Sequence, residues 1–414
     1  MSQVTSQITS QVKRVALNPL LPGSTLGVLG GGQLGRMWAH TAQRMGYNTA
    51  VLDPDAQSPA GLVSHHHVHT DYLDPAGLTQ LAAVCQAVTT EFENVPADAL
   101  AQLAATLPVS PAASAVAVAQ DRAREKAHFV KCGVPVAPHA VIDTAEQLAA
   151  VTDNLLPGIL KTSRMGYDGK GQLRVATREA LNAGWAQLGS VPCVLEKMLP
   201  LASECSVIVA RGRDGAMVNL PVQRNLHRDG ILAVTEVFAG NVPDALAQQA
   251  IAAAKAVAQE LHYVGVLCVE FFVLADGSDV TSQLVVNEIA PRPHNSGHYS
   301  QDACDVSQFE LQVRTMADLP LTQPRLHSAA VMLNLLGDLW FDPLDQLGSE
   351  PHSLQAEPAW QQVLALPGVH LHLYGKREAR VGRKMGHLNV TAATPEAARA
   401  VALQAAAILG IAPF

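Results

Sequence analysis

Two strongly apolar segments in the second half of the chain each carry a single glutamate. They are GVLCVEFFVL, with Glu270, and QLVVNEIA, with Glu288, and a turn near residues 275–282 joins them. A hairpin folded about residue 279 would set the two glutamates directly opposite each other, and cross-strand neighbours lie roughly 5 Å apart. Carboxylates that close repel each other unless a cation lies between them, and oxygen ligands suit Mg²⁺ beside nucleotide phosphates. We therefore predict a metal site here; an edge hairpin with both glutamates in solvent is the alternative.

The bulk composition is that of a globular protein. Apolar residues make up 48% and charged residues 15% of the 414 residues, and a chain of this length is expected to form roughly three domains. A formal net charge of −8 argues against nucleic acid or a membrane surface as the main partner. Residues 1–25 contain no long apolar run, so we expect a flexible extension rather than a signal peptide or a membrane span.

Transition-metal sites are not favoured by the cysteines or the histidines. No two cysteines form a C-x-x-C pair, which fits a reduced cytoplasm better than a zinc site. The cluster at His65, His66, His67 and His69 could hold a transition metal, but a polar loop is the preferred interpretation. The cysteines are Cys85, Cys132, Cys193, Cys205, Cys268 and Cys304.

A strand, a glycine turn, a helix and a second strand follow one another from Thr25. The turn, Gly30–Gly35, fits G-x-G-x-x-G, in which backbone N–H groups and a helix N-terminus can hold a phosphate. A tight turn without a ligand and an NAD site with Asp53 as the ribose-binding acid are the alternatives. Another strand, AVTTEFENV, follows, so the first hundred residues predict a parallel α/β layer.

Shorter strands dominate after a helix that begins near Arg122. They predict a mostly antiparallel sheet, and KTSRMGYDGKGQ between two of them combines lysines with glycines that would let a loop close over phosphates. A polar hairpin turn is the alternative. A last small region has strands VMLNLLG, VHLHLYG and MGHLNVTA, and then a helix with Thr394 as N-cap and Pro395 at its first position.

An ordered set of motifs runs from Thr25 to the C-terminus: GGGQLGR, EFENV, QDR, GYDGKGQ, EKML with Glu204, CVEFF, NEIAPRPHNSGH and YGKREARVGRKMGHLNV. This set resembles the ATP-grasp superfamily and, within it, the 5-(carboxyamino)imidazole ribonucleotide synthase family of purine biosynthesis. The resemblance implies an α/β (α+β overall) ATP-grasp fold in four parts. These are an extension over 1–25, a Rossmann-like preATP-grasp domain over 26–121, an ATP-grasp domain over 122–322 and a small β-rich C-terminal domain over 323–414.

The same resemblance implies that ATP lies between two layers of the central region, with residues 166–172 as a lid, and that Glu270 and Glu288 hold Mg²⁺. The implied nucleotide-binding residues are Arg122, Lys161, Gly166, Tyr167, Asp168, Gly169, Lys170, Gly171, Gln172, Glu196, Lys197, Met198, Leu199, Glu204, His227, Asn287 and Glu288.

Similar enzymes phosphorylate bicarbonate to carboxyphosphate, and the amine of aminoimidazole ribonucleotide then captures the carbon dioxide. A homodimer is implied as well. The implied catalytic residues are Tyr167, Asp168, Lys170, Lys376 and Arg383. The implied ribonucleotide or bicarbonate contacts are Gly32, Gln33, Leu34, Glu93, Arg292, His294, Asn295, Ser296, Lys376, Arg383 and Lys384, whereas Arg377 and Arg380 are expected in solvent.

Two positions depart from related patterns. Met165 stands where the family usually has a glycine before Gly166, and Ala290 stands where many ATP-grasp enzymes have an asparagine, so we assign no third metal ligand. Three other functions were weighed: an NAD-dependent oxidoreductase, a formate-dependent glycinamide ribonucleotide transformylase, and a non-catalytic nucleotide-binding protein. The first leaves the paired glutamates unexplained. The GRKMGH and NSGH motifs argue against the second, and the intact Lys161, Glu270 and Glu288 argue against the third.

Overall fold

The computed structural model describes residues 19–166, 171–275, 283–341 and 357–414. Its first part is a parallel sheet of order β3-β2-β1-β4 with helices between the strands, which confirms the predicted α/β layer. The strands are β1 (Thr25–Leu29), β2 (Asn48–Leu52), β3 (His66–Val68) and β4 (Ala87–Thr90). The helices are α1 (Gln33–Arg44), α2 (Pro75–Val84), α3 (Ala97–Ala104) and α4 (Ala113–Ala119).

A small antiparallel sheet of order β5-β8-β6-β7 follows α5 (Arg122–Lys131). Asp121 caps α5 by accepting the N–H groups of Ala123 and Arg124, so the helix begins where the sequence predicted. The other elements of this layer are β5 (His139–Ile142), α6 (Ala145–Ala150), β6 (Gly158–Thr162), β7 (Gln172–Val175), α7 (Arg178–Gln187) and β8 (Cys193–Lys197).

A large antiparallel sheet of order β14-β13-β9-β11-β12-β15-β17-β16, with β10 beside β9, forms the rest of the fold. Its strands are β9 (Leu201–Arg211), β10 (Met217–Asn219), β11 (Gln223–Arg228), β12 (Ile231–Val237), β13 (Gly265–Leu274), β14 (Leu284–Ala290), β15 (Ala329–Leu336), β16 (Val369–Leu373) and β17 (Lys384–Ala392). Its helices are α8 (Asp244–Glu260), α9 (Ser300–Ala303), α10 (Gln308–Met316), α11 (Trp360–Val363) and α12 (Pro395–Leu409).

The C-terminal strands continue the central sheet, because β15 pairs with β12 through residues such as Val234 and Leu333. The sequence predicts a new domain from residue 323. In the structure β15 hydrogen-bonds to β12 on one side and to β17 on the other, so the sheet runs across that predicted limit without interruption. The predicted domain limits stay a prediction. Thr394 caps α12 by accepting the Ala397 N–H, and Pro395 occupies the first position, as expected.

Two buried clusters position the parts of the chain that meet at the site. Along α8, Ala250, Ala254 and Val257 follow helical spacing and are buried in one core with residues of β9, β13 and β14. In a second cluster, Trp38 of α1 is buried together with Phe309 of α10, so the first sheet packs against a helix in the connection from β14 to β15 of the large sheet.

Residues 1–18 of the predicted extension lie outside the described residues. Within residues 19–25, Leu20 donates its N–H to Ala317 O and accepts from the Tyr47 hydroxyl, and Thr25 already begins β1. Among the described helices, none combines the length and apolar character that crossing a membrane requires.

Two glycines with the same left-handed backbone allow a matched test of packing. Gly368 (φ 72°) and Gly410 (φ 71°) would each be strained by a side chain, at a cost of about 1–2 kcal/mol. At Gly368 a Cβ would also lie 2.1 Å from Thr391 O, whereas nothing lies within 4 Å at Gly410. We expect Gly368→Ala to lower the free energy of unfolding clearly more than Gly410→Ala, as measured by denaturant titration. Equal losses would contradict the close approach of β17.

Candidate active site

Glu270 and Glu288 are paired in register across β13 and β14, which confirms the predicted opposed carboxylates. Each lies beside a basic group: Glu270 Oε1 is 2.8 Å from His294 Nε2, and Glu288 Oε2 accepts from the Arg122 guanidinium at 3.1 Å. The Glu270 side chain is 11% exposed and that of Glu288 is 40% exposed. The pair is therefore open on one side, and its charge is balanced by groups from outside the hairpin.

Burial opposes ionisation of Glu270, but the surrounding positive charge outweighs it and lowers the pKa of this carboxyl. The contributing groups are His294, which also hydrogen-bonds to it, His227 and Arg292. Glu270 is therefore a carboxylate at neutral pH, as a cation ligand must be.

His294 is held in one orientation from both sides of its ring. Its Nδ1 lies 2.9 Å from Ser296 Oγ and accepts the Ser296 N–H at 3.3 Å, so the ring proton is assigned to Nε2, which faces Glu270. Gln308 accepts the His294 N–H and donates to its carbonyl, at 2.9 and 2.8 Å. The segment after β14 is thus fixed by α10.

A buried group of charges lies behind the pair, between α5, β8 and β14. Glu196 contacts Lys161 Nζ at 3.1 Å and Lys126 Nζ at 3.3 Å, and Lys126 also donates to Asn287 O at 2.8 Å. Burial would raise the pKa of Glu196, but the two lysines lower it to about 2. Sequence reasoning missed Lys126. Its signal was the spacing of four residues from Arg122, which puts both cations on one face of α5.

Glu125, on α5, is another buried carboxyl, and no sequence motif singled it out. It is 2% exposed, and its Oε1 accepts the Ile289 N–H at 2.7 Å. Burial raises its pKa to about 8, since Lys126 and Arg122 compensate only in part. The Glu125 side chain thus ties the helix that carries Arg122 to the strand that carries Glu288.

Glu204 and His227 come together on neighbouring strands β9 and β11, where their side chains form an ion pair. Burial lowers the pKa of His227, but its hydrogen bond to Glu204 and the charges of Glu270 and Glu288 raise it overall. The two predicted nucleotide contacts therefore lie within electrostatic reach of the carboxylate pair.

Glu93 and Arg292 connect the first sheet to the carboxylate pair. Their side chains form an ion pair, and although burial opposes ionisation, Arg292 lowers the pKa of Glu93 to about 2. The charge of His294 also lowers the pKa of Glu93, and the charge of Arg292 lowers the pKa of Glu270. The junction brings together two of the residues expected around the ribonucleotide.

Three N–H groups of the glycine turn are bound by the protein's own carboxylates and so are not offered to a phosphate, whereas the sequence pattern predicted that the turn can hold one. Glu91 accepts the N–H groups of Gly32 and Gly35 at 2.6 and 2.8 Å, and Asp53 accepts that of Gly31 at 2.6 Å. A Cβ at Gly32 would lie 2.4 Å from Glu91 Oε1, so glycine is required by this close approach. Leu34 is buried in the core.

Asp53 is also the hydrogen-bond acceptor of the Tyr72 hydroxyl at 2.7 Å. With one oxygen bound to this hydroxyl and to the Gly31 N–H, and the other to the Asp55 N–H, its carboxylate is not presented to a ribose. The NAD alternative therefore loses both of the features on which it rested.

The histidine cluster divides between a strand and its flanks: His66 and His67 belong to β3, which corrects the predicted loop for these two, whereas His65 and His69 lie just outside the strand. His65 Nδ1 accepts the Thr49 N–H at 3.1 Å, and His69 Nε2 lies 2.9 Å from Pro54 O. Among the described residues, the one group with converging metal-type donors is elsewhere: Cys268, Glu270 and His294.

The basic loop between β16 and β17 contains both half-buried and exposed cations, as expected. Arg383 and Lys384 are half-buried, whereas Arg377 and Arg380 are exposed. Lys376 Nζ donates to Lys384 O at 2.7 Å, and Arg383 donates to Glu378 O at 2.8 Å.

The first sheet approaches this loop through Arg36 of α1. At Gly375 a Cβ would lie 3.0 Å from the Arg36 guanidinium. Gly375 directly precedes Lys376, so the basic loop starts in contact with the helix that follows the glycine turn.

The predicted lid is described only in part, because Tyr167, Asp168, Gly169 and Lys170 lie outside the described residues. Met165 has a left-handed backbone (φ 62°) and its side chain is exposed. A positive φ favours glycine, which is the residue that the family usually has here. Gln172 begins β7 opposite Lys161.

In the predicted adenine segment, residues 196–199, several groups are already bound to other parts of the protein. The N–H of Lys197 donates to Pro138 O at 2.8 Å and that of Met198 to Pro157 O at 3.0 Å, while the Met198 side chain is exposed. Glu196 is turned toward the lysines. Only Leu199 and the carbonyl groups of the segment are candidates for a backbone contact to a base.

Two asparagines predicted to bind ligands carry buried atoms without hydrogen-bond partners among the described residues. They are Asn287, through Oδ1, and Asn295, through both side-chain atoms. Such atoms cost free energy unless something pairs with them. Both residues were predicted from the sequence to face a ligand.

Three family models match consecutive parts of the chain. Their descriptions are a ribonucleotide synthetase preATP-grasp domain (residues 24–120), an ATP-grasp domain (127–309) and a phosphoribosylaminoimidazole carboxylase C-terminal domain (330–401). A relative from Brucella melitensis, an N5-carboxyaminoimidazole ribonucleotide synthase, is 43% identical over 89% of this chain and 96% of its own length.

Solved structures are similar over nearly the whole chain. The N5-carboxyaminoimidazole synthetase of Staphylococcus aureus complexed with ADP has a TM-score of 0.83 at 35% identity, over 95% of this chain and 99% of that one. The N5-carboxyaminoimidazole synthase of Aspergillus clavatus, in complex with ADP and 5-aminoimidazole ribonucleotide, has a TM-score of 0.82 at 32% identity, over 94% and 99%.

Glu125→Gln should make stability less dependent on pH. Glutamine keeps an oxygen for the Ile289 N–H but cannot ionise. Because the pKa of Glu125 rises from 4.5 to about 8 on folding, its contribution to stability is fully present below pH 4.5 and is lost as pH rises through about 8, by at most roughly 5 kcal/mol. Free energies of unfolding measured between about pH 5 and 9 should shift in favour of the variant. A difference independent of pH would contradict a protonated Glu125.

Proposed function

Because this chain belongs to the N5-carboxyaminoimidazole ribonucleotide synthase family of ATP-grasp enzymes, we propose that it uses ATP and bicarbonate to carboxylate 5-aminoimidazole ribonucleotide. The products are N5-carboxyaminoimidazole ribonucleotide, ADP and phosphate. The observation that carries the proposal is the in-register pair Glu270 and Glu288, flanked by Arg122 on one side and by His294 on the other.

In the proposed first step a bicarbonate oxygen attacks the γ-phosphorus of ATP and ADP leaves, which forms carboxyphosphate. Negative charge is spread over the transferred group in such a transition state, so fixed cations stabilise it. Arg122 and Lys161 supply this charge from the ATP side. Both are already oriented by carboxylates, Glu288 and Glu196, and need little reorganisation when the triphosphate binds.

In the second step carboxyphosphate releases phosphate and carbon dioxide, and the exocyclic amine of the ribonucleotide adds to the carbon and loses one proton. Arg292, held by Glu93, lies where the first sheet meets the carboxylate pair and is suited to an anionic intermediate. Lys376, Arg383 and Lys384 are proposed to bind the ribonucleotide phosphate or bicarbonate. Tyr167, Asp168 and Lys170 keep their proposed catalytic role from the family resemblance.

Magnesium is the metal that the fold implies, and the residues present fit it. Glu270 and Glu288 offer carboxylate oxygens from one face of the hairpin, and the buried Asn287 Oδ1 has no partner among the described residues. Hard oxygen donors of this kind suit Mg²⁺. When bound, it would neutralise charge on the nucleotide phosphates, and Glu270 and Glu288 would hold it.

Location and assembly are proposals of the same kind. A cytoplasmic protein is supported by the cysteines, all six of which are free thiols. A homodimer is proposed from the family resemblance, and sedimentation equilibrium of the purified chain tests it.

The decisive assay measures ADP release with magnesium, aminoimidazole ribonucleotide and bicarbonate, against glycinamide ribonucleotide and formate. We expect turnover with the first pair only. Glu288→Gln should abolish ADP formation while its circular dichroism and unfolding transition stay those of a folded chain, because one of the two opposed carboxylates is lost. Normal turnover in that variant would remove the metal assignment, and turnover with formate alone would replace the proposed substrate.

The half-buried Arg383 should matter more for the ribonucleotide than for ATP. Arg383→Ala removes a charge-assisted phosphate contact of about 1.5–3 kcal/mol, so we expect KM for the ribonucleotide to rise roughly 10- to 100-fold and KM for ATP to change little. Arg380→Ala is the control, because Arg380 lies in the same loop but is 70% exposed and paired with Glu378. Equal effects of Arg383→Ala on both substrates would contradict the assignment.

A further inference from the structure

Three side chains of different chemistry converge beside the carboxylate pair. One ligand atom each from Cys268, Glu270 and His294, namely a sulfur, an oxygen and a nitrogen, lie within 4.8 Å of one another. Cys268 and Glu270 are two residues apart on β13 and so point to the same face of the sheet. His294 approaches from the segment after β14 and already contacts Glu270 at 2.8 Å.

This donor set differs from the one proposed for magnesium. Mg²⁺ takes oxygen ligands in octahedral geometry and has no use for a thiolate, whereas Zn²⁺ and related thiophilic cations accept sulfur, imidazole and carboxylate together. Ligands of a tetrahedral zinc are about 3.4–3.6 Å apart. The three atoms therefore need only small side-chain movements to enclose such an ion, with the fourth position left to water.

The surroundings permit access and hold the ligands. Cys268 is fully buried, but the His294 and Glu270 side chains are 14% and 11% exposed and form the open side of the trio. Ser296 contacts the His294 ring and Gln308 binds its backbone. Ser296 Oγ, 2.9 Å from Nδ1, can accept the proton that a metal-bound histidine carries on its other ring nitrogen. Arg292, whose charge acts on both Cys268 and Glu270, is paired with Glu93.

We propose that Cys268, Glu270 and His294 form a site for a thiophilic divalent cation of the zinc class, and that its occupation inhibits the enzyme. Binding forms bonds from the metal to Sγ, a carboxylate oxygen and Nε2. The thiol proton goes to solvent, and the single ring proton of neutral His294 moves from Nε2 to Nδ1, where Ser296 Oγ accepts it across the 2.9 Å contact and the bond from the Ser296 N–H is given up. Glu270 then no longer serves magnesium, and His294 no longer donates to Glu270. Binding is independent of the catalytic assignment, whereas the inhibition rests on the proposed function.

The site itself is tested by titrating the full-length protein with Co²⁺ and recording absorption. A thiolate-to-cobalt charge-transfer band with tetrahedral d–d bands is expected, and it should be lost in Cys268→Ser and in Cys268→Ala. Cys304→Ser is the matched control, because Cys304 is buried in the same core cluster but is not part of the trio. Absence of the band in the wild type, or its persistence in both folded Cys268 variants, overturns the site.

Inhibition is measured as ADP formation at fixed ATP and magnesium with added Zn²⁺, relative to each variant's own rate without zinc. We expect inhibition that excess chelator reverses, and an inhibition constant that rises more than about tenfold in Cys268→Ser and Cys268→Ala but not in Cys304→Ser. An unchanged constant overturns the inhibitory role. If no ADP forms under any condition, the proposed function fails while the cobalt band still decides the site.

Discussion

The antiparallel pairing of β13 with β14 is the constraint on which the rest of the site depends. It places Glu270 and Glu288 opposite each other, and side-chain alternation then puts both on one face. A slip of one residue would turn one carboxylate into the core. Three basic groups from outside the hairpin balance this pair: Arg122 from α5, His294 from the following segment, and His227 from β11.

A second group of charged side chains is buried behind the carboxylate pair. Lys126, Lys161 and Glu196 are almost fully buried, and ions removed from water are costly unless they are paired and hydrogen-bonded. Lys126 meets this requirement by contacting both Glu196 and the Asn287 carbonyl. The result is a set of cations that are in place before a polyanionic ligand arrives, which is how protein charges stabilise a transition state with little reorganisation.

The glycine turn shows how a familiar pattern can be used internally. The N–H groups of Gly31, Gly32 and Gly35 are bound by Asp53 and Glu91, and the turn connects β1 to α1 beside the end of β4. Two residues further on from Glu91, Glu93 reaches Arg292. The segment after β4 therefore provides both Glu91, which binds the glycine turn, and Glu93, which binds Arg292. These neighbouring residues connect the first sheet to the surroundings of the carboxylate pair.

The sequence by itself determined the elements whose signals are local. Alternating or continuous apolar runs set the strands, and Thr394 with Pro395 set the start of α12. The sequence also predicted that Glu270 and Glu288 lie opposite each other, but not the register shift between Glu270 and Phe271 that accompanies their pairing. It also marked Glu270, Glu288 and the basic loop, because a charge in an apolar strand or a run of cations stands out without any partner being known. Only the tertiary structure decided which charges meet. The partners in these contacts lie 22 to 199 residues apart in the sequence: Asp53 and Glu91 with the glycine turn, Cys268 with His294, Lys126 with Glu196, and Glu93 with Arg292. Such contacts depend on how sheets and helices pack, which no local pattern encodes.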